Sequence, residues 1–385
     1  MVDKFGPSAI STIRMAPKEY ICGFDAMAEL GAVTGRYGRR PLVVGGLVGM
    51  PMVKDKAVAS FKANGLPWRQ TIIEGFCTQA LIEGLGKEVA ARNGDVVVGI
   101  GGGRVLDAAK AIAHFHRVPC IAVPTSPATC AAVRALTVLY SQDGEWQGGL
   151  TLNTPPEVCL VDLQVVGSAP RRLLAAGIVD GLVKWQELRF FHAKAGMLLP
   201  TMPAALALAE GFGVQMLRYS REAMAQARRG ELGIERLLLA EAAVLVPGLV
   251  SGLAGGSNKL AVAHEVHNAL TLLRDSRHSL HGELVGFGLL VQLVLDSASE
   301  REVYEMAELL ARLEQPMGLE ALGCGAALVG AGTRVVDSLT SSTVIKKALG
   351  EFDAEEILAA LVMADEVAVS TGAAKASVKG EGPSA

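Results

Sequence analysis

Charge is scarce in this chain, and neither sign dominates: 36 Lys and Arg against 39 Asp and Glu leave −3 over 385 residues. No basic surplus advertises a nucleic-acid or anionic-membrane partner. Aromatic residues are few as well, at 5%, yet half of the chain is hydrophobic. That balance excludes a disordered polypeptide, which needs low hydrophobicity and high net charge. Paired cysteines are missing: Cys22, Cys77, Cys120, Cys130, Cys159 and Cys324 contain no CxxC spacing. A large core needs no disulfide staples, so they read as reduced, mostly buried small hydrophobes. The N-terminus, Met-Val-Asp-Lys-Phe-Gly, lacks the apolar region of a signal peptide, and a cytoplasmic location is expected. One apolar run, 237–256, is long enough to span a bilayer at about 1.5 Å per residue. It carries Glu241 and Pro247 and is followed by Asn258 and Lys259, so it reads as a buried helix of a helical domain.

At roughly 150 residues per domain the length suggests two to three domains. Short β-rich runs at 40–46, 69–73, 95–100 and 120–123 alternate with helical patterns at 53–64, 81–93 and 105–115. Strands separated by helices imply a parallel sheet with crossovers, hence an α/β domain over 1–165. From about Pro170 strand signals give way to Ala/Leu-rich segments at helical spacing, an all-α domain over 166–370. The small, polar stretch 371–385 reads as a frayed tail.

Two regions carry chemistry. GIGGGRVLDAAK (99–110) follows the clearest strand and opens a helix. Glycines there let backbone N–H groups approach a pyrophosphate, and the helix N-terminus adds a favourable dipole. It is neither GxGxxG, since Arg104 takes the sixth place, nor a Walker loop. A tight turn needing positive φ is the competing reading. VPTSPATCAA (123–132) leaves the neighbouring strand, with hydroxyls that suit ribose or phosphate or ordinary turn chemistry. The second region holds four of the seven histidines, His264, His267, His278 and His281, in two pairs three residues apart. Such a hairpin can aim imidazoles at one metal, and a carboxylate commonly completes the set. HEVH is not HExxH, because Asn268 stands four after His264, which disfavours a zinc protease. Asp180, in an apolar setting where an unpaired carboxylate is costly, is the best carboxylate candidate; a helix cap is its other reading.

Together with LLAAGIVDGLVKWQE (173–187), AHEVHNALT (263–271) and HSLHGELVGFG (278–288), these motifs resemble the metal-dependent (iron/zinc-type) alcohol dehydrogenase family, in its glycerol dehydrogenase-like branch. The resemblance spans nearly the whole chain. It implies a dehydroquinate synthase-like, glycerol dehydrogenase-like fold: an α/β dinucleotide-binding domain and an all-helical metal-binding domain with the metal between them. It also implies Asp180, His264 and His281 as metal ligands, and His267 as a proton relay near nicotinamide and metal. Gly101, Gly102, Gly103 and Arg104 are then expected to hold the pyrophosphate. Thr125, Ser126, Thr129, Arg134, Leu136 and Tyr140 are expected to line the cofactor. Iron-dependent relatives carry a further histidine four after the aspartate. This chain has Lys184 there, so Zn2+ is expected over Fe2+.

Two departures shape the functional expectation. Cys130 stands where glycerol dehydrogenases carry an aspartate in the substrate loop. Losing a carboxylate that pairs with a polyol hydroxyl points instead to a 2-hydroxyacid/2-oxoacid, as in the hydroxycarboxylate dehydrogenase-like members. Cys130 as a redox nucleophile is a further possibility. The first strand ends in Gly45-Gly46-Leu47, without the acidic residue that binds the ribose 2′-OH in NAD-preferring relatives, so NADP(H) is expected beside NAD(H). The expectation is a NAD(P)-dependent dehydrogenase acting on CH–OH in a small-molecule substrate, and a homo-oligomer. Glycerol dehydrogenase is the alternative, then a non-catalytic nucleotide- or metal-binding protein.

Overall fold

The computed structural model describes residues 12–195, 201–255, 261–325 and 332–380. The extreme N-terminus, Asn258, Lys259 and residues 381–385 lie outside them. Strands and helices alternate first: β1 (Glu19–Gly23), α1 (Leu30–Tyr37), β2 (Pro41–Gly46), α2 (Gly49–Ala63), β3 (Gln70–Ile73), α3 (Gln79–Ala91), β4 (Val96–Gly101), α4 (Gly103–His116) and β5 (Cys120–Pro124). A hairpin of β6 (Leu136–Tyr140) and β7 (Trp146–Thr151) follows, then β8 (Val158–Asp162).

Six strands form one parallel sheet in the order β1-β8-β5-β4-β2-β3. Its inner strands are buried along their length, which is why they read as unbroken apolar runs such as Val96-Val97-Val98. The apolar runs of the sequence mark four of the six, β2 to β5. The edge strand β1 is only half-buried, and its pairing with β8 joins residues 139 apart, as Glu19 with Val158, beyond any local pattern. From β2 the chain moves outward to β3, then returns across β2 to β4 and onward to β5. The chain thus reverses direction between β2 and β4. At such a switch point the loops leaving the two strands part and open a crevice at the carboxyl edge. The glycine loop lies on that edge.

Asp162 ends the sheet and starts the helical part, its Oδ1 accepting from the backbone N–H groups of Gln164 (3.0 Å) and Val165 (3.3 Å). There follow α5 (Leu163–Gly167), α6 (Arg171–Ala195), α7 (Met202–Arg229), α8 (Ile234–Leu253), α9 (Val262–Leu270), α10 (His281–Leu295), α11 (Glu300–Arg312), α12 (Gly332–Ser341), α13 (Thr343–Leu349) and α14 (Ala354–Gly380). Among the described residues α8 alone is long and apolar enough to cross a membrane, but most of it is buried against α6 and α7, as a core helix is. The expected tail is corrected in part: residues 371–380 continue α14. Ala373, Ala374, Lys375 and Ala376 are strong helix formers, and that propensity outweighs their lack of an apolar stripe.

Two glycines set how closely α6 meets the sheet loop and α10 meets α6. A Cβ on Gly177 of α6 would lie 1.9 Å from the Pro127 carbonyl oxygen, and one on Gly282 of α10 would lie 2.0 Å from the Ala176 carbonyl oxygen. No side chain fits either place, so α6 rests on the loop after β5 and the start of α10 rests on α6. The hairpin adds a strap: Trp146 N–H donates to Thr271 Oγ1 (2.9 Å), and Glu145 pairs with Arg334 (3.1 Å).

Candidate functional site

At the crevice, Gly102 adopts an extended conformation with no side chain capping α4, so the first N–H groups of that helix stay available to an anion. The walls are close: a Cβ on Gly103 would lie 2.9 Å from Thr129 Oγ1, and one on Gly49 2.3 Å from Thr125 Oγ1. Side chains do not fit at these positions, so the crevice is lined by backbone there. Thr125 is buried, its N–H donating to the Gly101 carbonyl (3.0 Å), while Ser126 and Thr129 are partly open. Arg104 lies with its guanidinium 4.0 Å from the Phe76 ring centroid, and Phe76 in turn packs on Tyr140 at 5.6 Å. Tyr140 therefore backs the stack. Phe76 carried no sequence signal, being a lone aromatic in a loop.

The second half of the glycine motif does different work. Asp107 pairs with Lys110 (2.8 Å) and accepts from Val138 N–H (3.2 Å), while the Lys110 ammonium donates to the Leu136 carbonyl and, at 3.4 Å, to that of Arg134. Arg134 and Leu136 thus serve through their backbone, anchoring the hairpin. Cys130 requires a correction. Its side chain is 2% exposed and packs in the core with Leu106, Ala132 and Val133, so it presents no open thiol to the crevice. A small apolar side chain gains more by joining the core than by facing water.

One turn beyond Gly177 stands Asp180, 1% exposed. The structure brings it together with His264 of α9 and His281, the first residue of α10: one ligand atom from each lies within 4.8 Å of the other two. Asp180 Oδ1 is 3.4 Å from His281 Nε2 and 3.9 Å from His264 Nε2. A tetrahedral zinc with bonds of about 2.0–2.1 Å separates its ligands by about 3.3–3.4 Å, a spacing that Asp180 and His281 already have and that His264 would reach by a small inward shift. The Lys184 ammonium, one turn along α6, pairs with Asp180 in a contact buried on both sides. Burial alone would raise the Asp180 carboxyl, but the Lys184 ammonium beside it outweighs burial and holds it well below the usual carboxylate range. His278 does not join the set; it lies in the turn before α10, where its carbonyl accepts from Arg172 (3.1 Å).

His267 sits behind His281 and is 4% exposed. His281 Nδ1 is 3.1 Å from His267 Nε2, and His267 Nδ1 is 3.0 Å from Asn268 Oδ1. The amide oxygen accepts only, so the series assigns N–H to Nδ1 of both rings and leaves His281 Nε2 free toward Asp180. Burial, with the neighbouring histidines, holds His267 well below its ordinary value; burial also lowers His281, opposed by Asp180. Both are neutral near pH 7, the form that binds metals. Glu187 and Asn268, which steady these rings, were missed in the sequence. The spacing of Asp180, Lys184 and Glu187 on one face of an apolar helix was the available signal.

A glycine-lined crevice at a sheet switch point, with a buried carboxylate–imidazole set one turn along the helix that packs on its loop, is an arrangement suited to a metal-dependent, nucleotide-linked enzyme. A family model for iron-containing alcohol dehydrogenase matches residues 17–163. A glycerol dehydrogenase of Escherichia coli O6:H1 is 35% identical over 361 residues, covering 92% of this chain and 96% of that one. Hydroxycarboxylate dehydrogenase A of Escherichia coli K12 is 34% identical over 237 residues, 60% of this chain and 64% of that one. The crystal structure of a probable glycerol dehydrogenase from Sinorhizobium meliloti superposes with a TM-score of 0.83 at 26% identity, covering 94% and 100%. The chain belongs to the metal-dependent alcohol dehydrogenase family, in its glycerol dehydrogenase-like branch. It is an oxidoreductase acting on CH–OH groups.

Proposed function

We propose that the chain is a zinc-dependent, NAD(P)-linked dehydrogenase of a small polyol or its carbonyl counterpart. The observation that carries this is the meeting of Asp180, His264 and His281 one turn from the loop that lines the crevice. The order of substrates differs from the sequence expectation. Glycerol dehydrogenase relatives match over nearly the full chain, whereas the hydroxycarboxylate relative matches over 60% of it, so the polyol reading takes first place. A 2-hydroxyacid remains the second reading, on the 34% identity to hydroxycarboxylate dehydrogenase A.

When bound, the metal supplies a Lewis acid for the substrate oxygen, and the nicotinamide gives or takes the hydride. The chain's own residues place both. Gly101 to Arg104 and the open N-terminus of α4 bind the diphosphate, with Thr125, Ser126 and Thr129 along the wall. Asp180, His264 and His281 would hold the metal, and the lowered Asp180 carboxyl and His281 imidazole favour the binding forms of both. Lys184 in place of a third ligating histidine supports zinc over iron. His267 orients His281 through Nδ1; so deeply buried a ring is better suited to that than to passing a proton to solvent.

The test is turnover with zinc and either NADH or NADPH across dihydroxyacetone, glycolaldehyde, other aldehydes and 2-oxoacids, with glycerol and diols in the oxidative direction. Dihydroxyacetone or a short hydroxyaldehyde is expected to lead. Faster turnover of 2-oxoacids would install the second reading, and zinc binding with no turnover of the panel would point to a non-catalytic role. His281→Ala is expected to lose metal and activity together.

A further inference from the structure

Glu187 lies seven residues after Asp180 on α6, two helical turns along and therefore on the same face. It is 2% exposed, and a carboxylate so buried needs partners. Both of its oxygens are used on one residue. Oε1 accepts from the His264 backbone N–H (3.1 Å), and Oε2 lies 2.7 Å from His264 Nδ1. An ionised carboxylate accepts only, so Nδ1 must carry the hydrogen, and Nε2 then turns a lone pair toward Asp180. We infer that Glu187 is the positioning residue of the metal centre: it fixes the tautomer and the ring orientation of His264. This rests on the metal reading above but concerns an atom pair present without metal.

A carboxylate that merely joined α6 to α9 would tolerate glutamine, whereas a tautomer lock does not. Glutamine offers one carbonyl oxygen to two N–H donors, and its NH2 itself requires an acceptor. The backbone N–H cannot move its hydrogen, but the ring can. Glu187→Gln therefore leaves the carbonyl on the backbone, sets NH2 against Nδ1, and drives the hydrogen to Nε2, where it points into the ligand set.

Two measurements on the full-length, chelator-treated protein at pH 8 decide the matter. Long-range 1H–15N spectra, with His264 assigned by its loss in His264→Gln, are expected to show the Nδ1–H form in the wild type and the Nε2–H form in Glu187→Gln. Zinc affinity by competition with a chromophoric chelator is expected to fall about 10–100-fold in Glu187→Gln, the usual effect of losing such a support. An unchanged tautomer or wild-type zinc affinity in that variant overturns the assignment. Should Glu187→Gln fail to fold, Glu187→Asp decides: the shorter carboxylate is expected to keep the Nδ1–H form, and an Nε2–H form there refutes the inference. Wild-type protein that shows the Nδ1–H form but binds no zinc supports Glu187's hold on His264 while refuting the metal reading.

Discussion

Lys184→Met tests the charge balance of the centre most directly. Methionine keeps the length and much of the volume of lysine while removing the ammonium that neutralises Asp180. The two side chains are 3% and 2% exposed, so solvent screens little of the pair. Removing one partner of a buried ion pair costs about 3–5 kcal/mol, because the other charge is left uncompensated. At about 2–4 °C per kcal/mol for a domain of this size, the metal-free variant should melt about 6–20 °C lower. Zinc should reverse the loss, since a divalent cation neutralises the same carboxylate. By the thermodynamic cycle the energy missing from the metal-free form reappears as tighter metal binding, about two to nearly four orders of magnitude. Asp180 can also soften the loss by taking up a proton, so the assay belongs at pH 8. Melting curves with chelator and with zinc, for both proteins, give the four corners. An equal loss in both conditions would refute the reasoning, as would no loss with chelator.

The remaining expectations follow from single observations. Because Gly45, Gly46 and Leu47 bring no acidic side chain to the end of β2, turnover with NADPH should at least equal that with NADH at matched concentration; strict NADH dependence would defeat it. Metal-free protein should lose stability as pH falls below about 6.5. His267 and His281 are held below their unfolded values, so the unfolded chain binds protons first and is favoured by acid. The slope should reach about 2.7 kcal/mol per pH unit while both take part; urea midpoints that stay flat between pH 7.5 and 5.5 would contradict this. Gly177→Ala puts a methyl group 1.9 Å from the Pro127 carbonyl oxygen, so α6 must back away from the crevice loop. The expected cost is about 1–3 kcal/mol with a raised KM for the cofactor; wild-type values of both would show that the halves do not depend on that contact.

Much of this molecule was legible along the chain because burial has a period. Val96-Val97-Val98 and Leu42-Val43-Val44 announce strands covered on both faces, and Ala/Leu spacing announces the helices. Glycines before a helix announce a backbone that must come close to something. The hairpin was harder. Its first strand is half-buried and its second mostly exposed, and its register depends on Lys110 and Asp107, two residues the motif seemed to assign to the phosphate loop. Cys130 reads the same whether it faces a cleft or a core, and only packing tells the two apart.

By itself, then, the sequence determined the order of elements, the place of the glycine loop, and the few polar residues that an apolar domain must account for: Asp180 and a group of histidines. Tertiary structure alone decided which of them meet. His264 and His281 face Asp180 while His267 stands behind and His278 turns away, although all four share one short stretch of chain. Glu187 reaches His264 across 77 positions. Helical periodicity records which face of a segment is buried. The partner it is buried against is set by how α6, α9 and α10 cross, which a local pattern does not encode.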